Sequence, residues 1–246
     1  MRSTTDSRKL DLPPVYREIA LREHGDAFGS AQTIAAIEGA GTLVWVRRLD
    51  SIEAAVVLEP EQPLAEARGA LFAGMNAAAD ALALYCPPEK PLVFSWPDTV
   101  LFDGGIIGGC RLASPPDAPE AEPPDWLVLG LQIRNTVQMS QTHTFDRGTS
   151  LESEGFAVMD GERIIESFSR HLMAAFDGWR ALGFKSVADR YLARLPAVAG
   201  MRQSLDANGD LLQRGQGGAT VVTRVPLTPA LAAPQWLDPE TGQPWL

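Results

Sequence analysis

The stretch that decides the fold runs from Pro91 to Leu112 and reads PLVFSWPDTVLFDGGIIGGCRL. Branched and aromatic residues dominate its first half, and Pro97 with Asp98 interrupts them, so the segment predicts two short strands joined by a turn. Asp103, Gly104 and Gly105 then supply a tight hairpin into a third strand, IIGGCRLA. Gly108 and Gly109 fall inside that strand, where glycine weakens pairing unless something packs closely against the backbone. Asp98 either caps the turn before Thr99 or organises a ligand. Trp96 and Pro97 are read equally well as a strand end that fills the core and as ligand walls.

Working outward, PVYREIALRE (14–23) reads as a strand, and Asp26 stands before AFGSAQTIAAIEG, whose apolar residues recur at helical spacing up to Gly39. GTLVWVRR is a buried strand that exits on Arg47 and Arg48, and AAVVLEP is a second one stopped by Pro60. Leu64 to Leu84 predicts one long amphipathic helix. On the other side, SPPDAPEAEPPD (114–125) is a solvated loop, WLVLGLQIRN (126–135) resumes the sheet, and 136–155 has no period and reads as a long loop of the kind that carries function. Ile164, Ile165, Phe168, Leu172, Phe176, Trp179 and Leu182 share a helix face ending at Gly183, and a further helix is expected over Ser186–Leu195. After Pro196 the alternating runs around Asn208, Gly209 and Asp210 predict a small β appendage, its tail anchored by Trp236 and Trp245 packing back on the body. The order of elements gives an α+β layer with a mixed, mostly antiparallel sheet and not a doubly wound nucleotide fold. It divides the chain into a body over residues 1–196 and a β-rich C-terminal domain over 197–246.

Composition narrows the function classes. A formal net charge of −10 repels phosphate backbones and anionic lipid headgroups, so neither nucleic acid nor membrane is an expected partner. Cys86 and Cys110 are the two cysteines, and the N-terminus lacks a signal-like apolar core, which points to the cytoplasm. His24, His143 and His171 lie too far apart to suggest metal ligation.

Trp96, Pro97 and Gly109 resemble the tryptophan, proline, asparagine, aspartate signature of the biotin protein ligases, which is followed by a hairpin and then by a lysine, a hydrophobic residue and a glycine. EGAGTLVWV and AAVVLEPEQPL resemble the two strands flanking that family's ligand loop, WLVLGLQIRN its glycine-bearing strand with Gly130, TSLESEG its loop, and NGDLLQR the start of its small C-terminal β domain. The resemblance runs in order along most of the chain. It implies the catalytic-domain fold shared by biotin ligases, lipoate ligases and octanoyltransferases. Biotin, lipoate or an octanoate-like acid is then the ligand, ATP with Mg the co-substrate, and a biotinyl or lipoyl carrier domain the partner.

The departures bear on activity. In register from Trp96, the lysine position is Ile106, which offers neither charge nor donor. Losing one such preorganised donor removes about 3 kcal/mol of transition-state stabilisation, roughly two orders of magnitude in rate. The glycine- and arginine-rich loop is reduced to RRLDSIE, the family's asparagine and aspartate are Asp98 and Thr99, and its second later-strand glycine is Gln132. The resemblance thus makes Arg47, Arg48, Trp96, Pro97, Asp98, Ile106, Gly108, Gly109, Gly130 and Gln132 the candidate ligand-binding set. No catalytic residue is assignable beyond Cys110, a weak nucleophile candidate with no nearby histidine. Strand alternation places Cys110 on the face of Ile106 and Arg111 on the opposite one, so a simple arginine replacement of the lysine is not expected. The expected function is binding of an acyl-type ligand with adenylation impaired or absent. The alternatives are an active ligase or acyltransferase using Arg47, Arg48, Lys185 or Cys110, and a non-catalytic interaction protein.

Overall fold

A computed structural model describes residues 9–136, 147–156, 160–215 and 222–245. Seven strands, β1 (Arg17–Leu21), β2 (Thr42–Val46), β3 (Ser51–Leu58), β4 (Leu92–Ser95), β5 (Thr99–Phe102), β6 (Gly105–Ala113) and β7 (Leu127–Arg134), form one sheet in the order β1-β2-β3-β7-β6-β5-β4. β1 and β2 run parallel and every other neighbouring pair is antiparallel. This is the mixed, mostly antiparallel sheet expected from the element order.

One face of the sheet is covered by α3 (Ala70–Ala83), α4 (Gly161–Leu182) and α5 (Phe184–Leu192). Phe72, Met75, Phe168, Leu172 and Tyr191 from these helices join Val100, Ile107, Cys110, Leu129, Leu131 and Ile133 from the strands in the main core. On the other face, α1 (Ala27–Glu38) presents Ala27, Ala31 and Ala35 to Val44, Val46, Ala55, Val57 and Val128. Small side chains on that stripe let the helix lie close to the strands. Asp26 caps α1 through Gly29 N, and Gly39 ends it. Because both faces are covered, all eight residues of β7 are buried, polar Gln132 and Arg134 included.

Two expectations need correction. The single helix over Leu64–Leu84 is two, α2 (Leu64–Ala67) and α3, broken at Arg68 and Gly69. Gly69 lies against the rings of Trp179 and Phe184, each 2.8 Å from where a Cβ would stand, and Arg68 reaches Glu120 across the proline-rich loop. Tertiary approach sets that break, which periodicity does not register. The second correction concerns alternation in β6. Val100 pairs with Gly108 but Leu101 pairs with Ile106, so a β-bulge at Ile107 inserts one residue. The bulge reverses parity: Ile107 and Cys110 both enter the helix-side core, whereas Ile106, Gly109 and Arg111 share the other face.

Beyond α5, β8 (Met201–Leu205), β9 (Leu211–Gly215) and β10 (Val222–Val225) form a separate antiparallel sheet, followed by α6 (Leu227–Leu231). The Asp210 carboxylate accepts from Leu227 N and Arg224 Nε, and Leu227 is buried in the main core. Trp236 is fully buried, and Trp245 N–H donates to its carbonyl. Residues 137–146, which hold His143 and much of the expected long loop, lie outside the described residues.

Gly108 adopts φ +146°, and an added Cβ would run into the Gln132 backbone. Gly104 at the hairpin tip has φ +87° but open space around it. Gly108→Ala is expected to destabilise the chain by about 3 kcal/mol and Gly104→Ala by about 1 kcal/mol. Urea unfolding measures both, and equal midpoints for the two variants would contradict the bulge.

Candidate functional site

The face that carries Ile106 is organised by strand register. Thr99, Gly109, Gln132 and Glu53 stand side by side across β5, β6, β7 and β3, and Arg111, Gly130 and Ala55 form the next row. A glycine in each row keeps the floor flat: a Cβ on Gly109 would sit 2.5 Å from Trp236 Nε1, and one on Gly130 would sit 2.6 Å from the Phe28 ring. Phe28 on α1 and Trp236 on the C-terminal tail therefore lie directly on backbone.

At the β4–β5 corner the Trp96–Pro97 peptide is cis, and Tyr191 Oη donates to Pro97 O at 2.9 Å. Asp98 is wholly buried. Its backbone oxygen accepts from Cys110 N at 3.0 Å and its Oδ1 from Thr99 Oγ1 at 3.1 Å. Oδ2 has no hydrogen-bond partner, and the Trp236 indole makes a contact short of full hydrogen-bond geometry. Burial pushes the Asp98 carboxyl up to about 7, with the Thr99 and Trp236 contacts opposing. Cys110 is buried on the far side of the strand, and burial, reinforced by the nearby Asp98 charge, pushes its thiol well above the ordinary range. Such a thiol stays protonated at neutral pH, which removes the nucleophile candidate.

The cations on and beside this face are arginines. Arg48 grips Asp50 through Nε and Nη2 at 2.7 and 2.9 Å and lies 3.7 Å from Glu53. Arg47 lies 5.5 Å from the Trp45 ring centroid. Arg111 stacks on Phe28 at 4.3 Å and reaches Asp26 at 3.8 Å. Arg134 is buried, donates through Nη2 to Pro244 O and leaves Nε without a partner. Burial lowers the pKa of both Arg111 and Arg134 from the ordinary value. Glu53 accepts from Ala27 N at 2.7 Å at the start of α1, and burial raises its carboxyl.

The short β2–β3 connection cannot cradle a phosphate with these amides, because Arg47 N donates to Leu21 O and Arg48 N to Val46 O. The chain has three lysines. Lys90 is held by Glu154 and Asp103 at the β5–β6 hairpin, Lys185 pairs with Asp189 on the exposed side of α5, and Lys9 is exposed. The structure thus gathers Ile106, Gly109, Gly130 and Gln132 on one face with Asp98 at its corner, and puts Arg47 and Arg48 at the β2 exit. It leaves Gly108 facing the helix-side core. Arg134 and Glu53 escaped sequence reasoning, and Trp236, expected to anchor the tail, was not expected at the site. For Arg134 the signal was present, since Gly130, Gln132 and Arg134 alternate along β7.

Residues 12–193 match the profile of the biotin/lipoate A/B protein ligase family. A biotin–[acetyl-CoA-carboxylase] ligase from Paracoccus denitrificans is 26% identical over 199 residues, 72% of this chain and 80% of that protein. Among solved structures, a biotin protein ligase-like protein of unknown function from Silicibacter sp. TM1040 superposes with TM-score 0.77 at 26% identity, covering 90% of this chain and 98% of that one. Aquifex aeolicus biotin protein ligase in complex with biotin and ATP gives 0.61 at 14% identity, covering 86% and 96%, a likeness of fold.

The raised Asp98 carboxyl has a stability consequence. Folding favours the protonated acid, so its contribution is fully present below the ordinary value of 3.8 and is lost as pH rises through about 7. Relative to Asp98→Asn, the wild-type chain is expected to lose a few kcal/mol of unfolding free energy between about pH 4 and 7, at up to ~1.4 kcal/mol for each pH interval of one, and to run parallel above. Urea titrations across that range read it directly, and parallel curves throughout would mean that Asp98 ionises normally.

Proposed function

Because the chain belongs to the biotin/lipoate A/B protein ligase family, we propose that it binds a carboxylic acid of the biotin, lipoyl or fatty-acyl class on the Gly109–Gln132 face and activates it with ATP slowly or not at all. The observation that carries this reading is Ile106. It shares the face of Gly109 and Gln132, and its aliphatic side chain stands where the family resemblance calls for an ammonium. The amides of Arg47 and Arg48, both bonded to strand carbonyls, point the same way, as neither is free to wrap a phosphate. Arg134, buried and half-partnered, supplies the charge for a ligand carboxylate. A biotinyl or lipoyl carrier domain is the partner this reading favours. Among the described residues no helix is long and apolar enough to cross a membrane. Both cysteines are free, which fits a reducing compartment, and we place the protein in the cytoplasm.

One observation favours a second reading, an active ligase. Through the bulge Arg111 shares the face of Ile106, so a guanidinium is available on the side where the lysine is missing.

Calorimetry with biotin, lipoate and octanoate, paired with ATP–pyrophosphate exchange, separates the two. The wild-type chain is expected to bind one of the acids without measurable exchange, and Ile106→Lys to raise exchange by up to ~100-fold. Strong ATP-dependent labelling of a carrier domain by the wild type, abolished in Arg111→Ala, would establish the second reading instead.

A further inference from the structure

We propose that residues 234–245 form a displaceable strap that occupies the ligand face in cis and lifts to admit the ligand, an inference that rests on the face assigned above. The strap meets that face at three places. Trp236 is seated on the backbone of Gly109, Gln132 Nε2 donates to Gln243 Oε1 at 3.1 Å and to Gly242 O at 3.4 Å, and Arg134 Nη2 donates to Pro244 O. These are the residues that would otherwise face a ligand.

Its internal construction suits movement as a unit. Asp238 N donates to Gln243 O and Gly242 N to Asp238 O, both at 2.8 Å, Trp245 N donates to Trp236 O at 3.0 Å, and the Asp238 carboxylate accepts from Glu240 N and Thr241 Oγ1. Most of the strap's hydrogen bonds are therefore kept when it leaves the sheet.

Its fit to the face is also incomplete. At this contact Gln132 Oε1 and Arg134 Nε are buried without hydrogen-bond partners, and Asp98 Oδ2 and Trp236 Nε1 approach one another short of full hydrogen-bond geometry. A well-matched core satisfies such atoms, and each one left unmet penalises the closed state. The orphaned groups also describe the occupant that fits better. It offers a carboxylate to the Arg134 guanidinium, in place of one carbonyl, and N–H or O–H donors to Gln132 Oε1 and Asp98 Oδ2. Closed strap and bound acid compete for the same groups, so the strap sets the apparent affinity of the site.

Hydrogen exchange on the full chain tests displaceability without any ligand. Amides of 235–245 are expected to exchange at least ~100-fold faster than those of β6 and β7, through opening that leaves the sheet protected. Exchange of the strap only with global unfolding would overturn the proposal. In parallel, calorimetry with biotin, lipoate and octanoate compares the wild type with Trp236→Ala and with Gln243→Ala, the latter removing a single bond and sparing the fold. The acid that binds is expected to do so at least tenfold more tightly in both variants, and unchanged affinity in folded variants counts against a gating strap. If no variant takes any of the three acids, the acyl-ligand reading fails, while fast or slow strap exchange still decides whether the strap is displaceable.

Discussion

The architecture turns on the close approach of three backbones at Gly108 and Gly109. β6 runs between β5 and β7 with an extra residue at Ile107, and the bulged backbone passes so near Gln132 and Asp98 that a side chain at either glycine would collide. Because of that extra residue, Ile107 and Cys110 complete the helix-side core together. By the same shift, Ile106, Gly109 and Arg111 are turned to the opposite face. A regular strand would have sent Cys110 to the face of Ile106 and Arg111 away from it. The composition of the candidate site is thus fixed by a backbone irregularity and by the two glycines that permit it.

The charges around the site follow from an acidic chain that has to bury arginines. Arg48 is neutralised by Asp50 and Glu53, and Arg111 by Asp26 with help from the Phe28 ring. Arg134 differs: its one described hydrogen bond is to a carbonyl, and its charge is felt by Asp50 without a bridging contact. A guanidinium buried against a neutral acceptor is less compensated than Arg48 or Arg111, which pair with carboxylates. Asp98 is its acidic counterpart at the other end of the strap, a carboxyl whose ionisation desolvation disfavours.

Much of this was legible in the sequence. Period-two runs gave the strands, the Trp96–Pro97 corner and the Asp103–Gly105 hairpin located the sheet's far edge, and Asp26, Gly39 and Gly183 marked helix ends. The misses share one cause, which is that they depend on groups distant in sequence. The break at Gly69 is imposed by Trp179 and Phe184, more than a hundred residues on. The bulge depends on how β6 docks between two neighbours, and alternation counted along one strand cannot register an inserted residue. Trp236 was expected to anchor the tail, yet its seat on Gly109 follows only from the folded path of the chain.

The two unusual features of the face, an aliphatic residue at the lysine position and a tail lying over the glycines, are consistent with one another. A lysine at 106, a half-buried position, would bring a further cation to a face where Arg134 is already undercompensated. With isoleucine there, a single carbonyl and an indole suffice to close the face, though with several polar atoms left unmatched. A carboxylate can meet a guanidinium through two parallel bonds and an opposite charge, where the strap offers Arg134 one carbonyl. On the proposed reading, an incoming acid replaces the weaker of the two partners. The direction of exchange is set by the same buried arginine that makes the closed state imperfect.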